Sequence, residues 1–219
     1  MKREAFIFDL GLIEYQRAYT LQKTLITLIN RGDFPETLLL LEHLPVYTIG
    51  KSGSKNGLKI AVIEVDRGGD ITFHGPGQLV GYPLIYVGDR KVSRYIRNLE
   101  ESLVLLLEKY SIEGIVKKGY PGVWVGNEKI ASIGVRIKDR VTYHGFALNI
   151  SVDLAAFHQI RPCGLDVTMT SMENILSRKI EIHNVKNDYR KAFEQQFDFS
   201  LKLQNNDLLE EIAAQECRS

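Results

Sequence analysis

Two hydrophobic periods alternate along this chain, and the switches between them mark out its elements. Leu21, Leu25 and Leu28 recur at steps of four and three, which puts them on one face of a helix expected over Tyr15–Ile29. Ile96, Leu99, Leu103, Leu106 and Leu107 give a second apolar face, on a helix capped by Ser93 and running to about Tyr110. Val185, Tyr189, Phe193 and Phe197 recur every four residues and predict a helix over Val185–Phe197. Met172–Leu176 reads as a short helix, and Asp207–Ala214 as a last one capped by its first residue. Residues 5–10, Thr37–Glu42, Val46–Ile49, Ile60–Val65 and Leu84–Val87 are strand-like. Residues 113–150 read as a succession of short strands, IVKKG, GVWVG, KIASIGVRI and VTYHGFALNI, with Gly145 marking a close backbone approach. Residues 67–78 are too rich in glycine for a regular element, and residues 156–168 look irregular. Helices that flank and interrupt short strands predict an α/β or α+β fold. No repeat or linker divides the chain, so residues 1–219 read as a single domain.

Composition narrows the function classes. A formal net charge of +1 and the lack of a long Lys/Arg run give no footprint for nucleic acid. The longest apolar run, SLVLLLE, falls far short of the roughly 20 residues of a spanning helix. The opening MKREAFIFDLGLIEY, interrupted by Asp9, is not a signal peptide. The expected setting is cytoplasmic, away from membranes, with Cys163 and Cys217 as free thiols.

Three segments could carry chemistry. In Arg67–Gln78, RGGDITFHGPGQ, glycines permit unusual turns and the close approach of a ligand, Arg67 brings charge and His74 a titratable ring. Its spacing matches neither a dinucleotide-binding nor a phosphate-binding loop, and a structural turn is the plainer reading. In Pro162–Cys163–Gly164 the thiol is either a buried structural group or, with a lowered pKa, a strong nucleophile. Lys129 in WVGNEKIASIGVRI is either solvated or, partly desolvated beside a thiol, a proton carrier. Cys217 lies in a polar tail that cannot hold an attacking geometry. The five histidines form no metal-binding pattern, and no Gly-x-Ser-x-Gly elbow occurs.

Taken together, RGGDITFHGPGQLVGYP (Arg67–Pro83), PGVWVGNEKIASIGVRI (Pro121–Ile137), TYHGFALNI (Thr142–Ile150) and RPCGLDVTMTSM (Arg161–Met172) strongly resemble the lipoyl(octanoyl) transferase family. The resemblance extends over about residues 10–175 and includes YQRAYTLQ and LLEHLPVYTIG. It implies a catalytic domain like that of biotin and lipoate protein ligases, with a large mixed sheet, a smaller second sheet and flanking helices. It also implies an octanoyl group carried as a thioester on Cys163, with Lys129 as catalytic partner. For the substrate pocket it implicates Arg67, Gly69, Thr72, His74, Gly75, Gly77 and Gln78 from the first motif. Ser132, Ile133 and Gly134 come from the second, and His144, Gly145 and Ala147 from the third.

The implied donor is octanoyl-acyl carrier protein. The implied acceptors are lipoyl domains of 2-oxoacid dehydrogenase E2 subunits and of the glycine-cleavage H protein. A thioester donor is already activated, so no cofactor is implied. Lys51–Ser52 departs from a pair of arginines common in the family, and Lys51 and Arg67 are the basic groups expected to steer an acidic carrier. The nearest rival is an ATP-dependent lipoate- or biotin-protein ligase on the same scaffold, which needs no nucleophilic thiol. A transferase that moves octanoyl groups between lipoyl domains would use a differently placed cysteine. A non-catalytic protein on this fold would hold an acyl chain or a carrier without turnover.

Overall fold

The computed structural model describes residues 2–56, 58–88, 92–160 and 167–216. In chain order the strands and helices are β1 (Arg3–Ile13), α1 (Tyr15–Arg31), β2 (Thr37–His43), β3 (Val46–Ile49), β4 (Ile63–Glu64), β5 (Ile71–His74), β6 (Gln78–Leu84), α2 (Val92–Lys109), β7 (Ile115–Lys117), β8 (Tyr120–Val125), β9 (Glu128–Lys138), β10 (Val141–Asn149), α3 (Met172–Leu176), α4 (Ile182–Phe197), β11 (Phe199–Leu203) and α5 (Asp207–Glu216). A 3-10 turn, Leu154–Gln159, follows β10. Eight strands form one mixed sheet in the order β11-β1-β2-β6-β10-β9-β8-β7, and β4-β3-β5 form a second, smaller one. β1 runs parallel to both β11 and β2, and the remaining pairs of the large sheet are antiparallel.

Both faces of the large sheet are covered, which explains the unbroken apolar run of β2. Leu38 and Leu40 point into the core under α2 and α4, with Leu99, Leu103, Val185, Tyr189 and Phe193. Leu39 and Leu41 point the other way, into the core under α1 and α5, with Leu25, Ile26, Val80 and Leu209. Of the helix faces read from the sequence, Leu25, Leu99, Leu103, Leu106, Leu107 and the line Val185, Tyr189, Phe193, Phe197 are buried, Leu21 and Leu28 are partly buried, and Tyr95 takes the core position expected of Ile96. At α1, Glu14 caps the start by accepting from the N–H groups of Gln16 and Arg17, and Gly32, in the left-handed region at φ 81°, ends it.

The two sheets are built from one continuous ribbon. β2 pairs with β6 in the large sheet, while β3, which follows β2, pairs with β5, which precedes β6, in the small one. The ribbon bends between the sheets at Leu44–Pro45 on one strand and Gly75–Gly77 on the other. A side chain locks the bend: Gly77 N–H donates to Glu42 Oε2 at 2.8 Å. A third apolar cluster, including Ile49, Ile71, Phe73, Phe157, Ile160 and Met169, fills the space behind the small sheet.

Several boundaries differ from the sequence reading. The expected strand over 60–65 shrinks to Ile63–Glu64. The glycine-rich segment 67–78 contains a regular strand, Ile71–His74, because its glycines gather at the two ends and leave four residues free to pair with β3. The strand expected at Leu84–Val87 lies earlier, at Gln78–Leu84, where Gly81 and Pro83 obscure the pattern, and only an isolated bridge remains at Tyr86. β1 extends beyond 5–10 at both ends, Ser93 lies one residue inside α2, and α4 begins at Ile182. β11 has no counterpart in the sequence reading: FSLKL follows α4 after a single left-handed residue, Asp198, and pairs with β1.

Candidate active site

The bent ribbon, β9 and β10 enclose a cavity that draws on all three of the described motif segments. From the glycine-rich segment come Arg67, Gly69, Thr72 and His74; from β9, Lys129, Ser132, Ile133 and Gly134; from β10, His144, Gly145 and Ala147. Gly75, Gly77 and Gln78, also expected at the pocket, do not line it and instead support its wall. Tyr15, Asp70, Ile71, Tyr82 and Phe146 complete the lining and are not among the residues expected there. Tyr15 and Tyr82 lie within YQRAYTLQ and LVGYP, so the motifs contain them, but an isolated tyrosine in a half-apolar run gives no sign that it faces a cavity. Cys163, with Arg161, Pro162, Gly164, Leu165 and Asp166, lies outside the described residues.

Lys129 is only 3% exposed, the opposite of an ordinary surface lysine. Its N–H donates to Thr168 O at 2.9 Å and its carbonyl accepts from Thr170 N–H at 3.0 Å, so the chain just after the cysteine motif is laced to this residue. Its side chain passes over Gly122, where a β-carbon would sit 2.7 Å from Lys129 Cε, and its ammonium lies 5.3 Å from the Trp124 ring centroid. Gly122, at φ 128°, thus serves both an uncommon backbone conformation and the passage of the lysine stem. Its N–H donates to Glu100 Oε1 at 3.2 Å. Burial raises the Glu100 pKa, and the nearby charges of Arg97 and Lys129 pull it back.

A chain of hydrogen bonds joins the motifs behind the cavity. His74 Nδ1 lies 2.7 Å from Gln78 Oε1, Gln78 Nε2 donates to Asn149 Oδ1 at 2.9 Å, and Asn149 Nδ2 donates to Thr170 O at 2.9 Å. Gln78 Nε2 also donates to Phe73 O, which leaves its Oε1 to accept and assigns the proton to His74 Nδ1. Burial, together with the nearness of His43 and the Arg67 guanidinium, holds His74 well below the usual imidazole pKa, so the ring is neutral. Behind it, His43 Nε2 meets Tyr82 O–H at 2.7 Å, and burial lowers the His43 pKa to about 4.

Arg67 is a structural clamp and not a mobile charge. Its Nη2 donates to Thr48 O at 2.9 Å and to Thr48 Oγ1 at 3.0 Å, and its Nη1 to Gly68 O at 3.0 Å. A guanidinium held in this way cannot swing out, whereas Lys51, the other basic group expected to steer a carrier, is exposed. The Lys51–Ser52 departure leaves the loop intact, since both residues bind it through backbone N–H groups, to Arg67 O and Gly69 O, each at 3.1 Å. Close backbone packing closes the cavity floor: a β-carbon on Gly145 would lie 2.0 Å from Gly81 O.

A buried amine, neutral imidazoles and apolar walls from Ile71, Ile133, Phe146 and Ala147 suit a reaction of an acyl group with a nucleophile that must lose a proton. Comparison with known proteins agrees. Residues 14–194 match the family model of the lipoyl protein ligase A/B catalytic domain. The octanoyltransferase of Syntrophotalea carbinolica is 47% identical over 186 residues, covering 82% of this chain and 88% of that protein. That of Geobacter metallireducens is 45% identical over 186 residues, covering 82% and 87%. The fold is shared with a bipartite lipoate protein ligase of Thermoplasma acidophilum, at a TM-score of 0.74, 13% identity and coverage of 97% and 91%. It is also shared with lipoate-protein ligase A bound with ATP, at 0.69, 15% identity and coverage of 98% and 94%. Biotin protein ligase of Aquifex aeolicus is more distant, at 0.52, 12% identity and coverage of 89% and 69%. With the family model spanning most of its length and octanoyltransferases matching it at such identity, the chain belongs to the lipoyl protein ligase A/B catalytic-domain family, and within it to the octanoyltransferases.

Proposed function

We propose that the enzyme takes an octanoyl group from the thioester of acyl carrier protein and delivers it to a lysine of lipoyl domains. These are the domains of 2-oxoacid dehydrogenase E2 subunits and of the glycine-cleavage H protein. Cys163 attacks the donor carbonyl, the carrier thiol leaves, and an octanoyl-enzyme thioester remains. The acceptor amine then attacks that thioester and departs as an amide, so that two easier steps replace one difficult one. Lys129 takes the thiol proton and hands it to the leaving carrier thiolate, then takes one proton from the incoming ammonium.

The observation that carries this reading is the buried Lys129 amine on the cavity wall, with its backbone paired to Thr168 and Thr170, which follow the PCG motif in sequence. Among the described residues, Ile160 and Met169 are the nearest buried apolar residues before and after Cys163 in sequence, and both belong to the apolar cluster behind the small sheet. Ile71, Ile133 and Phe146 offer apolar wall to the acyl chain, whose burial contributes about 0.8 kcal/mol per methylene. An amide is more stable than a thioester, so no nucleotide is required. Consistent with a cytoplasmic setting, no helix among the described residues is long and apolar enough to cross a membrane.

The reading is tested by mixing the protein with octanoyl-acyl carrier protein and an apo lipoyl domain, without ATP, beside a Cys163→Ala variant. Lysine octanoylation by the wild type alone is expected. Modification that requires ATP and free octanoate, and survives Cys163→Ala, would instead place the chain with the ligases.

A further inference from the structure

His144 is held in place by contacts that the thioester reading does not use. It lies within β10, yet its φ is 54°, in the left-handed region that is uncommon for any residue but glycine and out of place within a strand. Strand alternation would send Tyr143 and His144 to opposite faces. The left-handed turn brings both to one face, where their rings stack at 4.9 Å. Tyr19 of α1 covers His144 at 5.3 Å, and Gln22 Oε1 accepts the His144 backbone N–H at 2.8 Å. Backbone strain of this kind persists where the surroundings over-determine it, and it gathers at functional sites.

Asp66 is the hub of this arrangement. Its carboxylate accepts from Tyr19 O–H at 2.9 Å, from His144 Nε2 at 3.0 Å and, through a short bond, from Tyr143 O–H. These bonds hold the Asp66 pKa well below the carboxylate range, so it only accepts, and the His144 proton in this bond must sit on Nε2. Burial lowers the His144 pKa although Asp66 raises it. The ring is therefore neutral near pH 7, and Nδ1 carries a lone pair at a residue that lines the cavity with Lys129. The charged and titratable groups around it are Asp66 and Arg67, His74, and the phenols of Tyr19, Tyr82 and Tyr143.

We propose that Asp66 is a positioning residue acting through His144: it fixes the Nε2–H tautomer, so that Nδ1 accepts an N–H of the attacking amine and takes its proton. This rests on the thioester reading. An ammonium that becomes an amide nitrogen sheds two protons in all. Lys129 takes the first and releases it to solvent before the next turnover. As the N–C bond forms and the C–S bond breaks, the electron pair leaves on the Cys163 sulfur. The second proton passes to His144 Nδ1 and from there to the thiolate, which restores neutral imidazole and thiol.

The test separates the two half-reactions in Asp66→Asn. Enzyme acylation by octanoyl-acyl carrier protein is followed by intact mass. Transfer from the isolated acyl-enzyme to an apo lipoyl domain is followed across a pH series. Transfer is expected to slow by about 10²-fold while acylation changes by no more than about threefold. The acid limb of the transfer profile should move to lower pH, because the lost carboxylate favoured the imidazolium. His144→Asn tolerates the left-handed backbone, so it should keep the fold and fail in transfer. Equal slowing of both half-reactions, or an unmoved transfer profile, overturns the proposal. Absence of any acyl-enzyme in the wild type would overturn the thioester reading itself, and this proposal with it.

Discussion

Lys129 shows how far a single residue can be read. Its place in GNEKIASIG points to the family role, but its burial depends on Trp124 across the ladder, on Gly122 giving way and on Glu100 reaching in from α2, none of which is visible in one sequence. Lys129→Met keeps most of the buried stem and removes the amine. Octanoyl transfer should fall by about 10²-fold or more in kcat. The denaturation midpoint should hold close to that of the wild type. A variant that loses both together would make Lys129 a structural residue. Gly145 is legible as a point of close approach, and the contact is with backbone, which cannot yield as a flexible side chain would. Gly145→Ala should therefore cost at least about 1–3 kcal/mol of stability by the overpacking of strands β6 and β10. Chemical denaturation checks this, and an unchanged midpoint would mean that the two strands can separate freely. Arg67 goes the other way: its charge suggests steering, and burial at 8% exposure turns it into a clamp.

At the scale of elements, the long periodic helices are legible because packing a single apolar stripe forces the pattern they carry. The four-residue recurrence in α4 is the buried line Val185, Tyr189, Phe193, Phe197. Phe193 stacks 4.4 Å from Phe197 and 6.0 Å from Phe199 of β11, so this helix also anchors the edge strand that the sequence reading lacks. Phe193→Ala should lower stability by about 3–5 kcal/mol, measured by thermal or denaturant unfolding. A loss of less than about 1 kcal/mol would show that the core collapses around the gap. The ribbon that bends between the two sheets is the hard case. Its strands are four to seven residues long, interrupted by Gly81 and Pro83, and paired across the chain with partners whose identity no local pattern reveals. The left-handed His144 is invisible for the same reason: HGFALN alternates like any strand, and only the Asp66 and Gln22 contacts show that the alternation breaks.

The whole molecule is braced by neutral buried imidazoles, and this makes it sensitive to acid. His43 has a folded pKa of about 4 against an ordinary 6.5. Between those values the unfolded chain binds a proton that the folded chain refuses, so stability falls as pH drops through this window, by up to about 1.4 kcal/mol per unit for one such group. His74 and His144 are lowered in the same direction and steepen the loss. Asp66 is depressed below the carboxylate range, so its contribution persists through this window and fails only in stronger acid. Denaturation midpoints should decline from about pH 7 to about pH 5, and less so in His43→Gln; parallel declines in the two proteins would contradict the assignment. Motif identity is enough to name the chemistry, whereas the convergence of the motifs on one cavity requires the fold. The most direct test of that chemistry is the intact mass of the purified protein after incubation with octanoyl-acyl carrier protein and no ATP. An octanoyl adduct that is absent from Cys163→Ala and discharged by apo lipoyl domain is the predicted result. An unmodified wild-type mass alongside undiminished transfer would contradict a route through Cys163.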